Sequence, residues 1–329
     1  VGLHRALDPV ALDGHHGLGL AAGSGAGKTP RPGDGHGLLR TKKVREAITG
    51  LAFAGPALVV FVVFMFWPLV RIFWISLQKT SGFGIAKFIG LENYREILAD
   101  SIFWEALANT ALYTALSVPL CLVAGLGAAM LLNRSMPARG LIRAVYYLPA
   151  VISGVSSALI AAWMFNEDLG IVNELLGAVG LGPVPWQSEG LPAMISLVLV
   201  SLWIGLGFNM VVYLAALQGI PREVYEAARC DGASWWQTLR SITIPSLAPT
   251  TFFLVVIGII NSFQVFDIVY VMTGGGPGNS TTMLVTYAYS TGFEQRQQGY
   301  ASAIGVLLYL IVLVMTIVQW RVNRRRDIA

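Results

Sequence analysis

The chain has 329 residues, 55% of them hydrophobic and 12% charged, with a formal net charge of +4. Soluble domains carry about 25% charged residues, so this composition excludes an ordinary soluble globule and points to a membrane protein. The basic excess is spread over connecting segments, where it bears on membrane orientation rather than on nucleic acid.

Residues 1–46 read as a disordered basic tail, rich in Gly, Pro and His, with little apolar periodicity. A start further along the chain, with this tail as an extension, is the other reading. Ala22 to Thr29 mimics a phosphate-binding loop. Such a loop needs a buried strand before it and a helix after it. The Gly- and Pro-rich flanks supply neither, so nucleotide binding is not expected there. All four histidines, His4, His15, His16 and His36, fall in this tail, which leaves none for a metal or acid–base site in the body. Cys121 and Cys230 are expected in different environments and unpaired.

Residues 47–329 read as the membrane domain, all-α and polytopic. Six apolar stretches, about 51–77, 107–132, 144–165, 191–217, 250–272 and 301–320, are each long enough to cross a ~30 Å hydrocarbon core as a helix. Arg71 and Asp267 are the charged residues within them. Arg71 is expected to snorkel, and Asp267, near the outer end of span five, to meet water or a partner. Pro56, Pro68 and Pro119 predict kinks. The first stretch is too long for a signal peptide and is expected to be retained.

Lys and Arg set the orientation. Arg134, Arg139, Arg143, Arg222, Arg229, Arg240, Arg321, Arg324, Arg325 and Arg326 follow spans two, four and six, against Lys79, Lys87, Arg95 and Arg296 after the others. This predicts six transmembrane helices with both termini inside. The loop at 166–190 carries Glu167, Asp168, Glu174 and Glu189 without a base, as suits an external loop.

Between spans four and five lies a polar segment, 220–248. Pro221 suits the first turn of a helix, and Glu223 and Glu226 lie near its positive end. Gly232 after Asp231 is a stop signal. Ser234 opens a second helix with Gln237 placed for a capping box, and Pro245 and Pro249 close the segment. The product is a helix–corner–helix foot on the inner side. Trp235 and Trp236 either pack it against spans four and five, the favoured reading, or lie at the membrane interface.

The foot also carries a family signature. Glu226-Ala227-Ala228, three residues, Gly232, nine residues, then Ile242-Thr243-Ile244-Pro245 resembles the cytoplasmic loop of permease subunits of bacterial ABC importers. Ile244 stands where leucine is usual, a volume-conserving change. Asp231-Gly232-Ala233 and Trp236-Gln237 resemble the carbohydrate-uptake branch, which includes maltose-type permeases. The resemblance implies a multi-pass inner-membrane protein whose foot docks on an ATP-hydrolysing subunit through Glu226, Ala227, Ala228, Asp231, Gly232 and Pro245. It implies a second homologous permease, two ATPase subunits carrying ATP and Mg, an extracellular solute-binding protein and a carbohydrate substrate. No cofactor or metal is expected on this chain, and the hydrolytic chemistry is expected on another.

In maltose-type permeases the substrate-contacting stretches fall in spans four and five, ahead of a Gly-Gly-Pro turn matched here by Gly275-Gly276-Pro277. Carried over, this places Ser201, Trp203, Gly205, Phe208, Asn209, Asn261, Ser262, Gln264 and Val265 along a pathway. Val265 replaces an amide-bearing position. Hydroxyls, amides and rings suit a sugar, and the lack of Lys or Arg within these spans favours a neutral one. The same small and amide residues also hold helices together in lipid, so each has a packing reading beside the functional one. A proton-coupled carrier wants buried acids or histidines, and a membrane enzyme wants a convergent catalytic cluster; the spans offer one carboxylate and no histidine.

Overall fold

A computed structural model describes residues 49–82, 86–133 and 137–326, side chains to 323. The tail 1–46 with its loop at Ala22–Thr29, the Arg134 position and the Arg324, Arg325 and Arg326 side chains lie outside the described residues. The chain divides into two compact units at Val63/Phe64. In the first, residues 49–63 are helical and largely exposed.

The described residues are helical apart from loops and one small hairpin, β1 (Gln78–Lys79) and β2 (Lys87–Phe88), paired antiparallel. Helices α1 (Thr49–Ser76), α3 (Ser101–Leu132), α7 (Gly190–Gln218) and α13 (Gln298–Arg326, apolar to Asn323) are each long and apolar enough to span a membrane. Two bent pairs bring the number to six if each is one span: α4 (Arg139–Val151) with α5 (Gly154–Met164) at 101°, and α9 (Trp235–Ser246) with α10 (Ala248–Phe263) at 65°. Shorter helices are α2 (Glu92–Ala99), α6 (Ile171–Ala178), α8 (Arg222–Cys230), α11 (Asp267–Met272) and α12 (Leu284–Tyr289). The protein is therefore an all-α polytopic membrane protein, as its sequence predicts.

Two predicted spans are not continuous. The stretch expected at 144–165 turns at Ile152 and Ser153, both extended at ψ 146 and 137. Ser153-Gly154 is the local cause: serine favours the extended residue ahead of a helix, and glycine adds no side chain at the corner. The stretch expected at 250–272 stops at Phe263, crosses Gln264–Phe266, and restarts as α11 at Asp267. An acidic residue suits a helix start. Conversely, α3 begins earlier than the predicted 107, because Asp100 Oδ1 accepts the Ile102 N–H at 2.9 Å and caps it. Pro119 sits inside unbroken α3. Pro68 and Pro245 each follow a π-helical turn, Val62–Phe66 and Leu239–Thr243. In both, the carbonyl four residues before the proline cannot receive its missing N–H, and the ladder widens there.

The core is built where α3 meets α7. Gly125 faces Asn209, and Gly205 lies opposite Cys121, so the two backbones approach closely. Tyr213 on α7 donates to Thr251 on α10 at 3.1 Å. Hydroxyls inside the spans turn back onto their own helices: Thr110 to Ala106 O (2.7 Å), Thr114 to Thr110 O (2.7 Å) and Thr316 to Val312 O (2.8 Å). No bulk water reaches a hydrocarbon core, so this is how such groups are satisfied.

Beyond the spans, Asp100 joins three helices. Its Oδ2 accepts the Tyr300 hydroxyl from α13 at 2.7 Å and the Tyr287 hydroxyl from α12. Burial pushes the Asp100 carboxyl up. The two phenols and the N–H groups of Ile102 and Phe103 outweigh it and hold the group below the ordinary carboxylate range. A depressed folded value means that this contribution is complete above the unfolded value, about 3.9, and is lost as pH falls through the folded one. Purified Asp100→Ala is expected to lose about 2 kcal/mol at pH 7, read as a lower thermal midpoint. That difference should begin to narrow below about pH 4 and go on shrinking as the pH falls through the lower folded value.

Candidate functional site: a polar cavity and a cytoplasmic elbow

A cavity of about 520 Å³ opens between α3, α7 and α10. Ser201, Ile204, Gly205, Phe208 and Asn209 of α7 line it at steps of three and four residues, one face of a helix. Asn261, Ser262, Gln264 and Val265 line it from the end of α10 and the break that follows. Eight of the nine predicted pathway residues thus converge on one space. Trp203 does not; it is out of phase with Ser201 and Gly205 and is 37% exposed on another face.

The cavity also contains residues that the sequence reading passed over. Tyr113, Ser117 and Cys121, at intervals of four on α3, form its opposite wall, and Tyr147 and Gly154 reach it from either side of the α4–α5 corner. The α3 stripe was visible as a helical repeat. The α4–α5 contribution was not, since it depends on the bend. Phe266 and Asp267 complete the wall at the second corner.

Its polar groups differ in how far they are already engaged. Ser201 donates to Leu197 O at 2.8 Å and meets the Tyr113 hydroxyl, which ties α7 to α3. Asn209 donates to Gly205 O at 2.8 Å, and Ser262 to Ile259 O at 3.0 Å. Asn261 and Gln264 are exposed to the cavity side and make no side-chain hydrogen bond within the described residues. The packing reading therefore describes Ser201, while Asn261 and Gln264 have donors and acceptors to offer a solute.

At the other end of α10 lies the elbow. Pro221 is the residue before α8, at ψ 138, one position earlier than expected. After Cys230 the chain closes in a full Schellman arrangement: Gly232 N–H to Arg229 O at 3.1 Å and Ala233 N–H to Ala228 O at 2.9 Å, with Gly232 at φ +71. Ser234 and Gln237 form the reciprocal capping box at 2.7 and 3.3 Å. Ala228 is buried, whereas Glu226, Ala227, Asp231, Gly232 and Pro245 are exposed. Trp235 and Trp236 correct the favoured packing reading: they are 62% and 60% exposed, side by side at 6.1 Å. They sit in the first turn of α9, ahead of its buried residues Leu239 and Thr243.

Apolar spans around a cavity of amides, hydroxyls and rings, with a rigid polar elbow at one end, define a membrane permease. The chain matches the family of binding-protein-dependent transport system inner membrane components over residues 121–328. It is 37% identical to the trehalose/maltose transport system permease protein MalF of Thermococcus litoralis, over 87% of this chain and 97% of that one. It is 35% identical to the lactose transport system permease protein LacF of Rhizobium radiobacter, over 85% and 95%. In fold it is similar to a chain of a bacterial alginate ABC transporter solved with a pentasaccharide-bound periplasmic protein, with a TM-score of 0.76 at 24% identity over 86% and 96% of the two chains. The chain belongs to this family: it is an ABC transporter permease subunit, a multi-pass protein of the cell's inner membrane. The family is one of permease subunits rather than of enzymes.

Proposed function

We propose that this chain forms half of the translocation path of a carbohydrate importer and moves a neutral sugar or oligosaccharide inward. The observation that carries this is the cavity wall: amides, hydroxyls and aromatic rings, with no Lys, Arg or His among the described lining residues. Relatives named for trehalose/maltose, lactose and arabinooligosaccharides support a sugar. A relative named for sulfoquinovosyl glycerol means that kinship alone does not decide the solute's charge; the cavity wall favours the neutral class.

The working unit on this reading is residues 47–329, both termini inside, paired with a second homologous permease. Two ATPase subunits carrying ATP and Mg supply the force, and an extracellular solute-binding protein delivers the sugar. The elbow is the docking element. Glu226 and Asp231 present charge, Ala227 permits close approach, and the capped Gly232 corner makes α8 and α9 move together. ATP-driven closure of the ATPases would tilt this lever and rock the spans.

Reconstitution in proteoliposomes with the cognate partners tests the proposal. ATP inside and binding protein outside should drive accumulation of a labelled neutral oligosaccharide. Asn261→Ala should reduce uptake about tenfold, the effect of one lost hydrogen bond of ~1.4 kcal/mol. Trp203→Ala, outside the cavity, should leave it within twofold. Equal loss from both variants would remove the cavity from the pathway.

A further inference from the structure

Among the described residues lining the cavity, one side chain is charged: Asp267. It is the first residue of α11, immediately after the break at Gln264–Phe266, and it is exposed. No cationic side chain shares the cavity wall with it. The space it occupies depends on Gly154, the first residue of α5 at the other corner. A β-carbon placed on Gly154 would collide with Asp267 Oδ2. Both broken spans therefore meet at this carboxylate, and glycine on one corner leaves room for the acid on the other.

A carboxylate only accepts hydrogen bonds and has two oxygens to do so. Two adjacent sugar hydroxyls supply a matching pair of donors, and bonds to an ionised acceptor are the stronger kind. An anionic sugar would bring a like charge to hydrogen-bonding distance of this carboxylate, where the two repel. Phe266, next in sequence, lines the same wall and has Tyr270 stacked on it at 5.2 Å and Tyr289 against it at 5.0 Å. This gives a ring surface for the C–H face of a pyranose beside the acid. We propose that Asp267 is the specificity-determining residue of the cavity, holding vicinal hydroxyls of a neutral saccharide and turning away uronates and other anionic sugars. This rests on the carbohydrate reading above.

The test is binding to the assembled transporter in nanodiscs without the solute-binding protein, so that the cavity is what is read. The probes are maltotriose, trehalose and lactose as neutral sugars and trigalacturonate as the anion. The wild type should bind at least one neutral probe and exclude trigalacturonate. Asp267→Asn, with an unchanged thermal midpoint, should weaken the neutral probe at least tenfold and admit trigalacturonate. Asp267→Glu should keep the discrimination. Should Asp267→Asn fail to assemble, Gly154→Ala, which displaces the same carboxylate, must shift both probes in the same directions. Wild-type behaviour of Asp267→Asn toward both probes would overturn the assignment. Failure of the wild type to bind any neutral probe would instead strike the carbohydrate reading on which it rests.

Discussion

Gly232→Pro is expected to abolish uptake while leaving membrane insertion intact. Gly232 stands at φ +71 and donates its N–H to Arg229 O. Proline fixes φ near −65° and has no N–H, a combined cost of about 3 kcal/mol or more. That is enough to break the corner between α8 and α9, which are short and otherwise tied by the hydrogen bond between the Tyr225 and Thr243 hydroxyls at 3.3 Å. If the elbow transmits force, ATP hydrolysis by the partner should continue without transport, and uptake should fall at least 100-fold. Gly232→Asn is the graded control, because asparagine tolerates the left-handed region, and it should retain most of the activity. Normal uptake by Gly232→Pro would rule out a rigid lever. The spans lie outside this corner, so protease protection of the inserted protein should match the wild type.

Gly207→Val is expected to fail at assembly rather than at transport. Gly207 is buried on α7, where a β-carbon would come to 2.7 Å from Tyr147 Cα and against the Tyr146 carbonyl. These are backbone atoms of α4 and cannot swing aside as a side-chain tip could. The added bulk must push α4 off α7, which separates the Tyr147 wall from the rest of the cavity. Overpacking of this kind costs about 1–3 kcal/mol or more, and here it falls where two helices meet. Loss of monodisperse protein after detergent extraction is the measurement. Gly127→Ala and Gly305→Ala, with nothing within 4 Å of an added β-carbon, should leave the yield unchanged. If Gly207→Val were recovered as wild type, the close approach of α4 to α7 would be refuted.

Much of this architecture was written in local chemistry. The stop at Gly232, the capping box at Ser234 and Gln237, and the long spans α3, α7 and α13 follow from residue type and spacing alone. The cavity face on α7 came instead with the family resemblance, although Ser201, Gly205, Phe208 and Asn209 do share one helical phase. That phase excludes Trp203, which the resemblance carried over along with them. What hydropathy could not show were the two corners, at Ile152–Ser153 and Gln264–Phe266. A window that scores apolar length sees one continuous stretch across each. Only Ser153-Gly154 and the acid at 267 hint at the interruptions. Both corners border the cavity, which fits the rule that irregular backbone at membrane depth survives where it lines a polar space. Local expectation thus failed where function is proposed to lie. The Trp235–Trp236 pair failed for another reason: both share the helical phase of the buried Leu239 and Thr243, but they stand in the first turn, ahead of the residues where α9 packs.

The hydroxyls of Ser201 and Ser262 and the amide of Asn209 have each spent a hydrogen on their own helix. These three groups are therefore satisfied with the passage vacant, and a guest finds free donors on Asn261 and Gln264 but mostly lone pairs elsewhere. Such a corridor favours brief residence and quick exit over storage.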